Sequence, residues 1–231
     1  MSHLIRVNIV AEGQAEQAFV RELLAEPLSS LGVYPVARCV FTGRKHGQVY
    51  RGGMTTYARA KGDIERWLKD DPSGYVTTMF DLYGLPHDFP APSQATSTHD
   101  PYHKARVLEA SLAADIQNHH FIPYIQLHEF EGLLFSDVSA IEAVVRTYNP
   151  YSRLAELQQI RAQFTTPEEI DDGEQTAPSK RLKSLYPAYE KVLFGSRIAQ
   201  GIGLDTLRRE CPHFNEWLSK LESLAGQGQA R

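Results

Sequence analysis

Leu4-Ile5-Arg6-Val7-Asn8-Ile9-Val10 is rich in β-branched residues and apolar at nearly every position. A strand with one wet face alternates apolar and polar side chains. A run that barely alternates needs cover on both faces, as a central strand of a parallel sheet has. Tyr75 to Phe80 and Phe121 to Leu127 read the same way, and Val33 to Phe41 is a further strand. Segments with helical spacing lie between them. Ala18, Phe19, Leu23, Leu24 and Leu28 share one face over 15–30, where Pro27 is a potential bend. Ile64, Trp67 and Leu68 do so over 56–69, and Val107, Leu108, Leu112 and Ile116 over 104–118. This alternation predicts an α/β fold, a mostly parallel sheet flanked by helices and joined by right-handed crossovers.

The texture changes after about residue 147. Short helical segments are expected at 152–164, 179–190, 196–200, 205–211 and 213–225, with a polar linker over 171–178 and a frayed tail over 226–231. The organisation expected is therefore an α/β domain over 1–147 and a helical C-terminal region over 148–231, packed on or beside it.

A chain of 231 residues buries enough surface to fold without a metal or disulfide. The formal net charge of −4 gives no global signature of nucleic-acid binding and leaves only local basic patches for it. One such patch is Thr42 to Tyr57, where Arg44, Lys45, His46 and Arg51 alternate with glycines. Cations on a glycine-permitted backbone suit phosphate contacts, and a solvated hairpin explains them equally. The two cysteines, Cys39 and Cys211, have no metal-ligand spacing; they read as separate buried thiols in a cytoplasmic protein. No run is long and apolar enough to span a membrane, and Met1 to Arg6 does not begin a signal peptide.

The chemistry concentrates where strands end. Glu12 follows the first run, Asp81 follows the third, and Glu129 and Glu131 follow the last. In an open parallel sheet the functional crevice lies beyond the carboxyl ends of the strands. Clustered carboxylates repel unless they bind protons or a cation, and hard cations such as Mg²⁺ or Mn²⁺ prefer such oxygen ligands. A single acid there also serves as a helix cap, so convergence depends on strand order.

Glu12-Gly13-Gln14-Ala15-Glu16, Asp81-Leu82-Tyr83-Gly84-Leu85-Pro86, His128-Glu129-Phe130-Glu131, Thr176 to Arg181 and Cys211 to Phe214 resemble, almost end to end, a bacterial Toprim-like family, domain-of-unknown-function family 4276. More distantly the chain is similar to the overcoming-lysogenization-defect Toprim nucleases. The resemblance implies that Glu12, Asp81, Glu129 and Glu131 hold Mg²⁺ or Mn²⁺, with Glu12, Asp81, Glu129 and Lys180 catalytic. It implies that Arg181 contacts substrate, and Arg44, Lys45, Tyr83 and His128 are further candidates for that role. Tyr83 stands where the Toprim Asp-x-Asp motif has its second acid; Glu129, Glu131 or Asp88 are the candidate replacements.

The activity implied is Mg²⁺-dependent phosphodiester hydrolysis of DNA or RNA, as the nuclease of an anti-phage system. Its partner would be a separately encoded ATPase of the ATP-binding-cassette type, since this chain has no phosphate loop of its own. The competing reading is a non-catalytic Toprim-like module that binds and regulates the ATPase.

Overall fold

The computed structural model describes residues 4–45, 48–91, 95, 98–170, 173 and 175–227, with backbone alone for 41–45, 48–51 and 227. His46 and residues 171, 172 and 174 of the linker over 171–178 lie outside the described residues, as does the tail beyond 227.

The elements run β1 (Ile5–Ala11), α1 (Gln14–Phe19), α2 (Ala25–Ser30), β2 (Val33–Cys39), β3 (Phe41–Lys45), β4 (Gln48–Arg51), α3 (Tyr57–Asp70) and β5 (Tyr75–Asp81). After these come α4 (Pro101–Ile116), β6 (Phe121–Ile122), β7 (Ile125–Gln126), α5 (Glu131–Leu134) and α6 (Val138–Val145). The C-terminal segment holds α7 (Leu154–Arg161), α8 (Pro178–Leu185), α9 (Lys191–Ile202), α10 (Leu204–Glu210) and α11 (Pro212–Gln227).

The main sheet is parallel, in the order β2-β1-β5-β6, and β7 also pairs with β5. β1 and β5 are therefore the central strands, as their unbroken apolar runs require. Ile5, Val7 and Ile9 enter one hydrophobic cluster, which extends through Phe130, Phe194 and Trp217 to Leu224. Val10, Val76 and Phe80 enter a second one with Ile64, Leu108 and Leu112 of α3 and α4. Helices thus cover both faces, and one core joins the first strand to the last helix. Trp217 of α11 stacks on Tyr124 at 4.4 Å and donates its indole N–H to Thr77 at 2.9 Å. This pins the C-terminal helices to the sheet.

Three departures from the periodicity have local causes. The expected strand over 121–127 divides into β6 and β7. Pro123 has no N–H for the ladder. The Thr78 hydroxyl bridges the gap, accepting from the Tyr124 N–H at 2.9 Å and donating to its carbonyl at 2.8 Å. Pro27 does not end the helix over 14–30. A π-helical stretch, Val20–Leu24, lies just before it, and the Ala25 N–H reaches the Val20 carbonyl. The expected strand over 33–41 stops at Cys39, and Phe41–Lys45 pairs antiparallel with Gln48–Arg51 as a hairpin.

The short helix expected at 196–200 is instead α9, starting at Lys191. Gly195 lies within it, and a Cβ there would meet Phe130 Cε1 at 2.9 Å. It is a close-approach glycine inside the helix. The helix expected over 179–190 ends at Leu185, because Pro187 disfavours helical backbone at Tyr186. Cys39 and Cys211 are both buried thiols that are not joined in a disulfide. Among the described residues no helix is long and apolar enough to cross a membrane.

Candidate functional site

Strand register decides what the acids do. Ala11 lies opposite Met79 across the β1–β5 pair, and Asp81 lies opposite Gln126 across the β5–β7 pair. The three strand ends therefore lie side by side. The Glu12 N–H donates to the Met79 carbonyl at 3.1 Å, and the Tyr83 N–H to that of His128 at 3.0 Å. Glu12 Oε2 accepts the Asp81 backbone N–H at 3.0 Å. Gly84 leaves room for this carboxylate, since a Cβ at 84 would lie 2.7 Å from Glu12 Oε1. Asp81 Oδ1 accepts the Phe130 N–H at 2.9 Å. His128 is buried with a left-handed backbone, φ 56°, and this turn carries the chain from β7 into Glu129 and α5.

Two residues without an assigned role complete the group. Glu16, in the first turn of α1, accepts the Gly13 N–H at 2.8 Å. Lys191 opens α9 and places its ammonium among the acids. Nζ lies 2.9 Å from Glu16 Oε1, 3.1 Å from Asp81 Oδ2 and 3.2 Å from Glu131 Oε2. Neither Glu131 oxygen accepts a hydrogen bond among the described residues, although Glu131 is fully buried. The buried Tyr189 hydroxyl beside this group likewise has no hydrogen bond among the described residues. Glu16 was within reach of sequence reading, because it closes the Glu12-to-Glu16 motif. Lys191 was not: a lysine after Glu190 carries no local signal.

The electrostatics follow from crowding and dryness. Burial raises Glu131 to about 7, with Glu129 and Glu16 adding to the rise and Lys191 opposing it. Burial also pushes Asp81 well above the carboxylate range; Lys191 opposes this, and Glu12 and Glu16 reinforce it. Glu12 is raised by burial too, against the hydrogen bond from Asp81. Burial alone would lower the Lys191 ammonium. Asp81, Glu131 and Glu16 outweigh it and hold that pKa well above its ordinary value. Such a site favours protons or cations over bare carboxylates.

The remaining candidates are divided. Glu129 faces the same cavity, of about 370 Å³, as Glu131, Lys180 and Lys191. Its oxygens also accept the Ser179 N–H at 2.9 Å and hydroxyl at 3.0 Å, so it caps α8. Lys180 is exposed at the cavity rim. Arg181 is turned away: its Nε donates to the Thr176 carbonyl at 2.6 Å, and its guanidinium lies over the Phe164 ring. Tyr83 is 47% exposed beside Asp81. Asp88 does not replace the missing acid. It accepts the Tyr57 N–H at 2.8 Å and caps α3. Arg44 and Lys45 lie in β3, and their side chains are outside the described residues. The hairpin is nonetheless tied to the site, because the Gly53 N–H donates to the Glu12 carbonyl at 2.9 Å.

Among the described residues no three His, Cys, Asp or Glu side chains are arranged to hold a metal ion ready-made. The donor set itself suits a hard cation. It is all carboxylate, and it includes a buried acid whose oxygens accept no hydrogen bond. What stands among those oxygens is the Lys191 ammonium.

The fold has counterparts among solved structures. Two structures of the C-terminal region of the Xanthomonas campestris pv. campestris OLD protein superpose over nearly the whole chain. The one phased with platinum has a TM-score of 0.51 at 16% identity, covering 98% of this chain and 96% of that one. The one phased with iodine has a TM-score of 0.50 at 17% identity, covering 98% of each. This similarity establishes the Toprim-like α/β fold. No curated protein matches. The family described as "Domain of unknown function (DUF4276)" matches residues 11–222. The chain, with its acids converging on one edge of a Toprim-like sheet, belongs to that family.

Proposed function

We propose that the chain is a Mg²⁺- or Mn²⁺-dependent phosphodiester hydrolase acting on nucleic acid. The observation that carries this reading is the convergence of Glu12, Glu16, Asp81 and Glu131, with Glu129 on the adjoining cavity, at the carboxyl edge of the sheet. Glu12, Asp81 and Glu131 would hold the metal, with Glu16 and Glu129 adjoining. When bound, such a cation activates water and stabilises charge on phosphate oxygens. Lys180, on the cavity rim, would bind the scissile phosphate and carry a proton. Tyr83, exposed beside Asp81, offers a hydroxyl to the same phosphate. The basic hairpin anchored at Glu12 would track the nucleic-acid backbone.

The biological setting proposed is anti-phage defence beside a separately encoded ATP-binding-cassette-type ATPase in the cytoplasm. Its support is the resemblance to the overcoming-lysogenization-defect nucleases. Two observations favour the second reading, a non-catalytic module that regulates that ATPase. Lys191 already neutralises part of the acidic cluster, and Tyr83 replaces an acid.

Calorimetric titration of Mn²⁺ into the wild type and Glu12→Gln tests the choice. Binding that is lost in Glu12→Gln, followed by Mn²⁺-dependent cleavage of DNA or RNA, supports the hydrolase. A folded wild type that binds no Mn²⁺ sinks it and leaves the module.

A further inference from the structure

Lys191 differs from an ordinary surface lysine in what it touches. Its ammonium lies within 3.2 Å of Glu16, Asp81 and Glu131, acids contributed by α1, β5 and α5. These acids are almost completely buried, at 1%, 5% and 0% exposure. Two cavities flank the lysine. One, of about 370 Å³, includes Glu129 and Glu131 in its lining. The other, of about 160 Å³, includes Glu12, Glu16 and Gly53. Lys191 and Val192 line both, so the start of α9 is wedged between the two halves of the acidic cluster.

We propose that Lys191 is a built-in counter-ion that closes the acidic centre of the metal-free chain, and that a divalent cation enters only by displacing its ammonium. This rests on the metal reading above. A divalent cation and an ammonium cannot both sit at contact distance from the same oxygens without strong repulsion. The oxygens Nζ touches belong to acids that would hold the metal or adjoin it. A lysine can yield. Its charge is a point at the end of a flexible four-carbon stem, and this side chain is 33% exposed, which leaves it a route to solvent. Metal entry is then coupled to the first turn of α9, the helix that begins at Lys191. The competing account is a fixed ion-pair network that only anchors α9. In that case loss of the ammonium weakens the fold and does nothing for a metal.

The experiment compares Mn²⁺ affinity of the wild type and Lys191→Met by calorimetry, with circular dichroism to verify folding. Lys191→Met keeps the stem and removes the charge. The expected result is binding about tenfold tighter, or more, in the variant. Equal or weaker binding in a folded variant overturns the proposal. A measurement on the wild type covers the case in which the variant does not fold. Amine acylation, read by mass spectrometry, is expected to label Lys191 several-fold faster at saturating Mn²⁺, with exposed Lys220 of α11 as the unchanged control. Labelling of Lys191 that ignores Mn²⁺ overturns the proposal. A wild type and a folded variant that both bind no Mn²⁺ remove the metal reading itself. Binding without displacement removes only the role of Lys191.

Discussion

At the scale of single residues, the site depends on where side chains are absent as much as on where acids are present. Gly84 gives the Glu12 carboxylate its place beside the Asp81 N–H. Gly84→Ala would drive a methyl to within 2.7 Å of Glu12 Oε1, and a carboxylate at the end of a side chain can swing aside. Gly84→Ala is therefore expected to shift unfolding by no more than about 1 kcal/mol in urea. It should weaken Mn²⁺ binding by about tenfold, as one misplaced ligand costs. Unchanged calorimetric affinity would show that the position of Glu12 is immaterial. Much of the site was legible at this scale. Glu12, Asp81, Glu129 and Glu131 each follow an apolar run, and a parallel sheet brings such ends to one edge. Lys191 was illegible because nothing in its neighbourhood in sequence distinguishes it. Its meaning comes from three acids distant in the chain.

At the scale of elements, the N-terminus of α11 shows how the C-terminal helices are held. Glu168 is fully buried and accepts the backbone N–H groups of His213 and Phe214, each at 2.9 Å. The His213 ring stacks on Tyr124, and its Nε2 lies 2.9 Å from Glu109 Oε1. Burial pulls the His213 pKa down, but Glu109, by hydrogen bond and charge, outweighs it and holds the value above the ordinary 6.5. A histidine raised in the folded state contributes stability that is complete below 6.5 and is lost as pH rises through the folded value. Thermal melts should show the advantage of the wild type over His213→Gln shrinking as pH climbs from about 6 to about 8. A gap independent of pH would mean that the ring is neutral throughout. Elements were read well where periodicity speaks and poorly where tertiary packing overrides it. The strand over 121–127 reads as continuous from its apolar pattern, yet Pro123 interrupts its ladder and Thr78, far away in sequence, bridges the gap. The helix at 191–202 begins before the expected 196, with Gly195 inside it against Phe130.

At the scale of the whole molecule, the boundary at residue 147 falls inside one continuous core. The cluster that contains Ile5, Val7 and Ile9 also contains Phe194, Ile198, Phe214, Trp217 and Leu224. The sequence marks a change of texture there, from strand-and-helix to helix alone. Texture does not say which surfaces meet. A fragment of residues 1–147 would expose the inner face of β1 and the rings of Phe19 and Phe130, all buried in the full chain. It is expected to show no cooperative thermal transition where the full chain shows one. A sharp transition for the fragment would make the first segment an independent folding unit.

Glu12 and Lys191 approach the centre from segments far apart in the sequence. During synthesis the first strand and its acids emerge well before the helix that begins at Lys191. Domains assemble from the N-terminal side as the ribosome proceeds. The unfinished polypeptide thus holds its carboxylates without the ammonium that faces them in the mature protein. The centre is put together only after the helix that begins at Lys191 has emerged.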